Sequence, residues 1–100
     1  MLTRAKIIQI IKNEKPHLAD EFNVKKIGLF GSFARGRQTG KSDIDIVVEF
    51  SKPIGFKFIN LCDYLEKKLG EKVDILTPAG IQGIRLKHIA KDIRGTIIYV

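Results

Sequence analysis

Apolar positions along the chain change rhythm several times, and each rhythm predicts an element. Leu2, Ile7, Ile10 and Ile11 recur at roughly helical spacing, with Arg4, Lys6, Lys12 and Asn13 mostly on another face. This predicts a helix over 3–15 with Thr3 as its N-cap. Pro16 suits the first position of a second, short helix over 16–22. Residues 24–30 read as a strand whose Ile27-Gly28-Leu29-Phe30 run is buried on both faces. Residues 43–50 alternate: Ile44, Ile46, Val48 and Phe50 share one face, and Asp43, Asp45, Val47 and Glu49 the other. Residues 51–55 break the pattern as a loop. Over 56–69 the period turns helical, with Phe58, Leu61, Cys62, Leu65 and Leu69 in one stripe and Gly70 placed to end it. A strand follows over 72–76, with Val73 and Ile75 on one face and Asp74 on the other. Ile81, Ile84, Leu86, His88, Ile89 and Ile93 suggest a further helix ending at Gly95. Residues 96–100 have strand composition, compatible with an edge strand or with a terminal segment held by a partner. Strands separated by helices predict an α/β (α+β) fold, a small mixed sheet with helices packed on it.

Composition sets the scale. One hundred residues, 44% of them hydrophobic, are expected to form one domain over 1–100 with one modest core. That leaves little chain for a walled substrate pocket. The single cysteine, Cys62, excludes an internal disulfide framework and fits a reducing compartment. No stretch approaches the ~20 apolar residues of a membrane span. The N-terminus lacks a signal-peptide pattern, so the expected location is cytoplasmic, with no membrane partner. The formal charge of +7 admits an anionic substrate, an acidic partner or nucleic acid. Because the basic residues are spread along the chain, with few aromatics among them, the charge does not favour nucleic acid.

The chemistry concentrates in one stretch, GSFARGRQTGKSDID, from Gly31 to Asp45. A strand that stops at Gly-Ser leaves backbone N–H groups open, and a small residue lets an anion come close. In a strand, Asp43 and Asp45 place both carboxylates on one face, roughly 7 Å apart at the Cα atoms. Two hard oxygen ligands beside a phosphate-cradling turn suit Mg²⁺ carrying a nucleoside triphosphate. The bland reading is a surface turn followed by an amphipathic strand with two solvated aspartates. Four features agreeing at one place weigh against it. Ser32 can donate to a phosphate oxygen or simply cap a helical turn. Arg35, Arg37 and Lys41 lie in the same loop, where any of them can neutralise phosphate charge. Ser42 is structural and Glu49, further along the carboxylate face, is solvated. Asp74, a lone carboxylate between hydrophobes, is unexpected unless it lies beside Asp43 and Asp45.

Gly31-Ser32, ten intervening residues, and then Asp43-Ile44-Asp45 resemble the signature of the DNA polymerase beta-like nucleotidyltransferase superfamily. FGSFARG, SDIDIVVEF and the short chain resemble its minimal nucleotidyltransferase branch, and the similarity runs from about Val24 to Thr77. The resemblance implies the polymerase-beta-like palm core and a two-ion Mg²⁺ site held by Asp43, Asp45 and Asp74. KVDILT resembles the strand on which the family carries its third acidic residue. Gly31 and Ser32 would hold the β- and γ-phosphates. Arg35 is preferred over its basic neighbours because Ala34-Arg35-Gly36 matches the family's small-residue–Arg-Gly step. The branch implies transfer of AMP from ATP to a hydroxyl, a tyrosine of a HEPN-domain toxin, with the chain acting as antitoxin. Two other readings stand beside it: a non-catalytic module that binds nucleotide or occludes the toxin, and a homo-oligomer that modifies a small molecule or an RNA end.

The remaining candidates read as structural. His17 has no Cys or His neighbour at metal spacing and is expected to be solvated or capping. Cys62 lies in the apolar stripe and is expected to be a small buried hydrophobe. Tyr64 lies partly off that stripe and has no assigned role. His88 is expected to be partly exposed.

Overall fold

A computed structural model of the chain describes residues 3–31, 43–78 and 97–100. The expected helix over 81–93, His88, Ser32, Arg35, Arg37, Lys41 and Ser42 lie outside the described residues. In chain order the described elements are α1 (Arg4–Phe22), β1 (Val24–Phe30), β2 (Ile44–Phe50), α2 (Lys57–Leu69), β3 (Val73–Leu76) and β4 (Ile98–Tyr99). The strands form one mixed sheet in the order β3-β2-β1-β4. β1 pairs antiparallel with β2 and β4, and β2 pairs parallel with β3. The mixed sheet expected from the sequence is therefore present, and the terminal segment does join it, as an edge strand.

The helices cover one face of the sheet. Ile7, Ile11, Leu18 and Phe22 of α1 and Leu61, Leu65 and Leu69 of α2 meet Ile27, Leu29, Ile44, Ile46, Val48 and Val73 in the main core. The alternation of β2 decides which face that is, because Ile44, Ile46 and Val48 are wholly buried. Val47 points the other way and packs with Phe30, Leu76 and Ile97 in a smaller cluster. All of 27–30 is buried, as its unbroken apolar run predicts.

α1 corrects the expected division at Pro16. It is one helix of 19 residues with Pro16 inside it. Proline lacks the N–H that would bond the Lys12 carbonyl, and its ring crowds that turn. The helix continues because Leu18 and Phe22 extend the stripe of Ile7 and Ile11 into the core. Stopping at residue 15 would leave both side chains without their partners. Thr3 caps the start as expected, its hydroxyl accepting from the Lys6 N–H at 3.2 Å. Asn23, with φ of 54°, ends the helix in the left-handed region. Gly70 ends α2 in the same way, with φ of 73° and its N–H donating to the Glu66 carbonyl.

The helices are joined by polar contacts that the sequence pattern did not announce. The Tyr64 hydroxyl donates to Glu14 at 2.8 Å, Lys68 pairs with Glu14 at 3.2 Å, and His17 stacks on Tyr64. The Tyr64 hydrogen bond, with Lys68 beside it, holds the Glu14 carboxyl below its ordinary range. Tyr64 thus acquires a structural role, and exposed His17 is a ring partner rather than a cap. Cys62 is half-exposed instead of fully buried, since Leu61 and Leu65 take the centre of the stripe. Desolvation and neighbouring carboxylates push its thiol up, which keeps it unreactive.

Pro16→Ala restores one helical N–H and removes the ring's clash, while slightly loosening the unfolded chain. It is expected to stabilise the protein by about 1–2 kcal/mol, as read from the midpoint of urea unfolding with an unchanged slope.

Candidate active site

The acidic site is assembled by strand register. Phe30, the last residue of β1, pairs with Asp45 of β2, and Asp45 in turn pairs with Asp74 of β3. Register partners share a sheet face, so Asp45 and Asp74 stand side by side with Cα atoms about 4.8 Å apart. Asp43, two residues before Asp45, belongs to the same face at the strand's start. Gly31 leaves β1 at this end of the sheet with φ of 73°. Four of the six expected site residues (Gly31, Asp43, Asp45 and Asp74) are therefore brought together; Ser32 and Arg35 lie outside the described residues.

The three carboxylates are not equivalent. Asp43 and Asp74 are exposed, whereas Asp45 is half-buried between its neighbours. Desolvation, then the charges of Asp74 and Asp43, raise the Asp45 carboxyl from its ordinary 3.8 to about 6. Such a cluster destabilises the folded chain unless a cation is present. Among the described residues, no group of three or more Asp, Glu, His or Cys side chains is arranged to hold a metal ion, Asp43, Asp45 and Asp74 included. Mg²⁺ does not need one, because it retains waters and binds through one or two carboxylates together with substrate phosphates. The hard-oxygen donor set and the raised Asp45 thus fit a divalent cation delivered with a triphosphate.

Glu66 is a residue whose part the sequence did not reveal. It lies on the polar side of α2, yet its carboxylate accepts the Val73 N–H at 3.4 Å, one residue before Asp74. The Ile44 N–H donates to the Lys72 carbonyl at 2.9 Å and ties the starts of β2 and β3 together. Both contacts hold the backbone that carries the acidic pair. They depend on where α2 crosses the sheet, which no local spacing encodes.

The nucleotidyltransferase domain family matches residues 4–99. A Methanocaldococcus jannaschii protein inferred to be a protein adenylyltransferase is 44% identical over 103 aligned residues, covering all of both chains. Protein adenylyltransferase MntA of Thermococcus cleftensis is 39% identical, covering all of this chain and 98% of its own. Among solved structures, a protein inferred to be a minimal nucleotidyltransferase has a TM-score of 0.66 at 25% identity, covering 95% of this chain and 89% of that one. A toxin–antitoxin structure solved with AMP-PNP has a TM-score of 0.63 at 23% identity over 98% of this chain and 72% of that one, a likeness of fold. The chain belongs to the nucleotidyltransferase family, in its minimal branch, and is a nucleotidyltransferase.

The raised Asp45 carboxyl makes stability depend on pH with a definite sign. The folded protein holds this proton more tightly than the unfolded chain does. The resulting stabilisation is complete below about pH 3.8 and is lost as pH rises through about 6. The full displacement corresponds to roughly 3 kcal/mol, and partial exposure reduces it to about 1–2 kcal/mol. Without divalent cations, Asp45→Asn is expected to be more stable than wild type by that amount at pH 8 and equal to it at pH 3.5. Thermal unfolding of both proteins across this range provides the check.

Proposed function

We propose that the protein transfers AMP from ATP to a protein hydroxyl, most simply a tyrosine of a HEPN-type toxin partner, and acts as that toxin's antitoxin. The observation that carries this reading is the register-paired Asp45 and Asp74, with Asp43 alongside, at the sheet end where Gly31 turns the chain. Full-length similarity to protein adenylyltransferases supports AMP as the group moved and protein as the acceptor. The toxin partner rests on the resemblance of the chain to the minimal branch, whose fold also occurs in a toxin–antitoxin structure. Among the described residues no helix is long and apolar enough to cross a membrane. We place the reaction in the cytoplasm, where ATP is abundant and Cys62 stays reduced.

In the reaction, the acceptor oxygen bonds to the α-phosphorus, the bond from that phosphorus to the pyrophosphate oxygen breaks, and the hydroxyl proton leaves. The transfer asks mainly for in-line placement and charge neutralisation. The Gly31 N–H and the Ser32 hydroxyl hold the β- and γ-phosphates, and Arg35 offsets their charge. Asp43 and Asp45 would hold the divalent cation that arrives with the triphosphate, and Asp74 would complete a second position. Such ions would supply positive charge that offsets the negative charge developing in the transfer. Asp74, exposed beside Asp45, would help take the acceptor's proton.

The test incubates the protein with α-³²P-labelled ATP, Mg²⁺ and the product of the adjacent gene, beside an Asp43→Asn/Asp45→Asn control. Label is expected on a tyrosine of the partner, reduced at least about a hundredfold in the control. A tight complex that carries no label and is unchanged by the double substitution would instead mean neutralisation by occlusion.

A further inference from the structure

Three described glycines have positive φ: Gly31 at 73°, Gly55 at 57° and Gly70 at 73°. At Gly55 and Gly70 an added Cβ would meet nothing within 4 Å, so glycine there answers to backbone conformation alone. Gly31 differs. A Cβ there would overlap Oδ2 of Asp45, lie 3.0 Å from its Cγ and 3.3 Å from its Cβ. Three successive atoms of one side chain fill the volume that any L-residue would need. The pairing of Phe30 with Asp45 fixes both backbones, so neither can back away without disturbing the β1–β2 ladder.

We propose that Gly31 is a positioning residue for Asp45: its bare Cα is the space in which that carboxylate is held beside Asp74. The inference rests on the reading of Asp45 as a site residue. It adds to the anion-facing N–H of Gly31 a second, separate reason for glycine. A methyl group at this position would force Asp45 out of its place. The χ2 torsion of aspartate is broad, so a small turn relieves the Oδ2 overlap alone, but the Cγ contact at 3.0 Å and the Cβ contact at 3.3 Å yield only to χ1 or the backbone. Relieving all three displaces the carboxylate from its place beside Asp74.

Gly70 supplies an internal control, since it shares the φ of Gly31 but has open space around it. Gly31→Ala and Gly70→Ala carry similar backbone strain, and only the first collides with Asp45. A third protein carries D-alanine at position 31, made by chemical ligation at Cys62, the chain's single cysteine. D-alanine is at ease at positive φ, and its methyl group takes the place of the other Cα hydrogen, not the position that overlaps Asp45. Two quantities are measured on folded protein. One is the ¹³C carboxyl resonance of Asp45 without metal; the other is the Kd for Mn²⁺ by electron paramagnetic resonance. Gly31→Ala is expected to move the resonance and to weaken Mn²⁺ binding about tenfold or more. Gly70→Ala should leave both unchanged, and the D-alanine protein should keep the wild-type resonance. An unmoved resonance in Gly31→Ala, or an equal displacement in the D-alanine protein, would overturn the proposal. If Gly31→Ala does not fold, the D-alanine protein decides: a wild-type resonance supports the proposal and a displaced one overturns it. A wild-type protein that binds no Mn²⁺ would overturn the metal-ligand reading of Asp45, while the resonance still tests the positioning.

Discussion

The site depends on a constraint that belongs to the core. Ile44, Ile46 and Val48 must face the helices, and in a strand that obliges Asp43, Asp45 and Val47 to face the other way. A slip of one residue in β2 would carry Asp45 into the apolar layer and expel the isoleucines. Burying an unpaired carboxylate costs far more than exposing a methyl group, so this register has no close competitor. Parallel pairing with β3 then sets Asp74 beside Asp45 by the same logic, since Val73 is buried and Asp74 is not. The acidic pair is thus placed by hydrophobic packing on the opposite face, and no hydrogen bond between the carboxylates is needed.

That placement has a cost borne by the acidic residues themselves. Asp45 lies half-buried with two like charges nearby, and its carboxyl is raised to about 6. Elsewhere the described polar contacts run in the stabilising direction. Glu14 meets Tyr64 and Lys68, Glu21 meets Lys57 at 3.7 Å, and no polar or charged residue among the described ones is buried. Among the described residues the grouping of Asp45 with Asp43 and Asp74 departs from that pattern, and a perturbed carboxyl in such a group marks a candidate functional site. The carboxylates stand at the strand starts, where solvent reaches Asp43 and Asp74 while Asp45 is half-buried.

Much of this was legible in the sequence because period two survives folding unchanged. Ile44 to Phe50 announced its two faces, and the Val73–Asp74–Ile75 alternation announced its own. Legibility ended where a second element decides the outcome. Pro16 reads as a helix start, since its missing N–H costs least there. Leu18 and Phe22 override that preference through contacts with strands far along the chain. Cys62 reads as core from its stripe, but a helix buries only its central line on a sheet. The Tyr64–Glu14 bond spans 50 residues and has no local signature. Gly31 was recognised for its openness to an anion, while its contact with Asp45 requires the β1–β2 register to be known first.

The expected shortage of walls in so small a chain turns out to matter less than its size suggests. Clefts among the described residues run along the outer surface, one bounded by Asp63, Glu66, Lys67, Gly70, Glu71 and Lys72, another beside His17 and Tyr64. Neither includes Asp45. A ligand held by apolar enclosure would need a deep pocket, and a single modest core cannot line one. A triphosphate is held differently, through backbone N–H groups, basic side chains and cations shared with carboxylates, none of which calls for such a pocket. The register of β1, β2 and β3 sets Asp45 beside Asp74, next to the turn at Gly31, without lining a cavity.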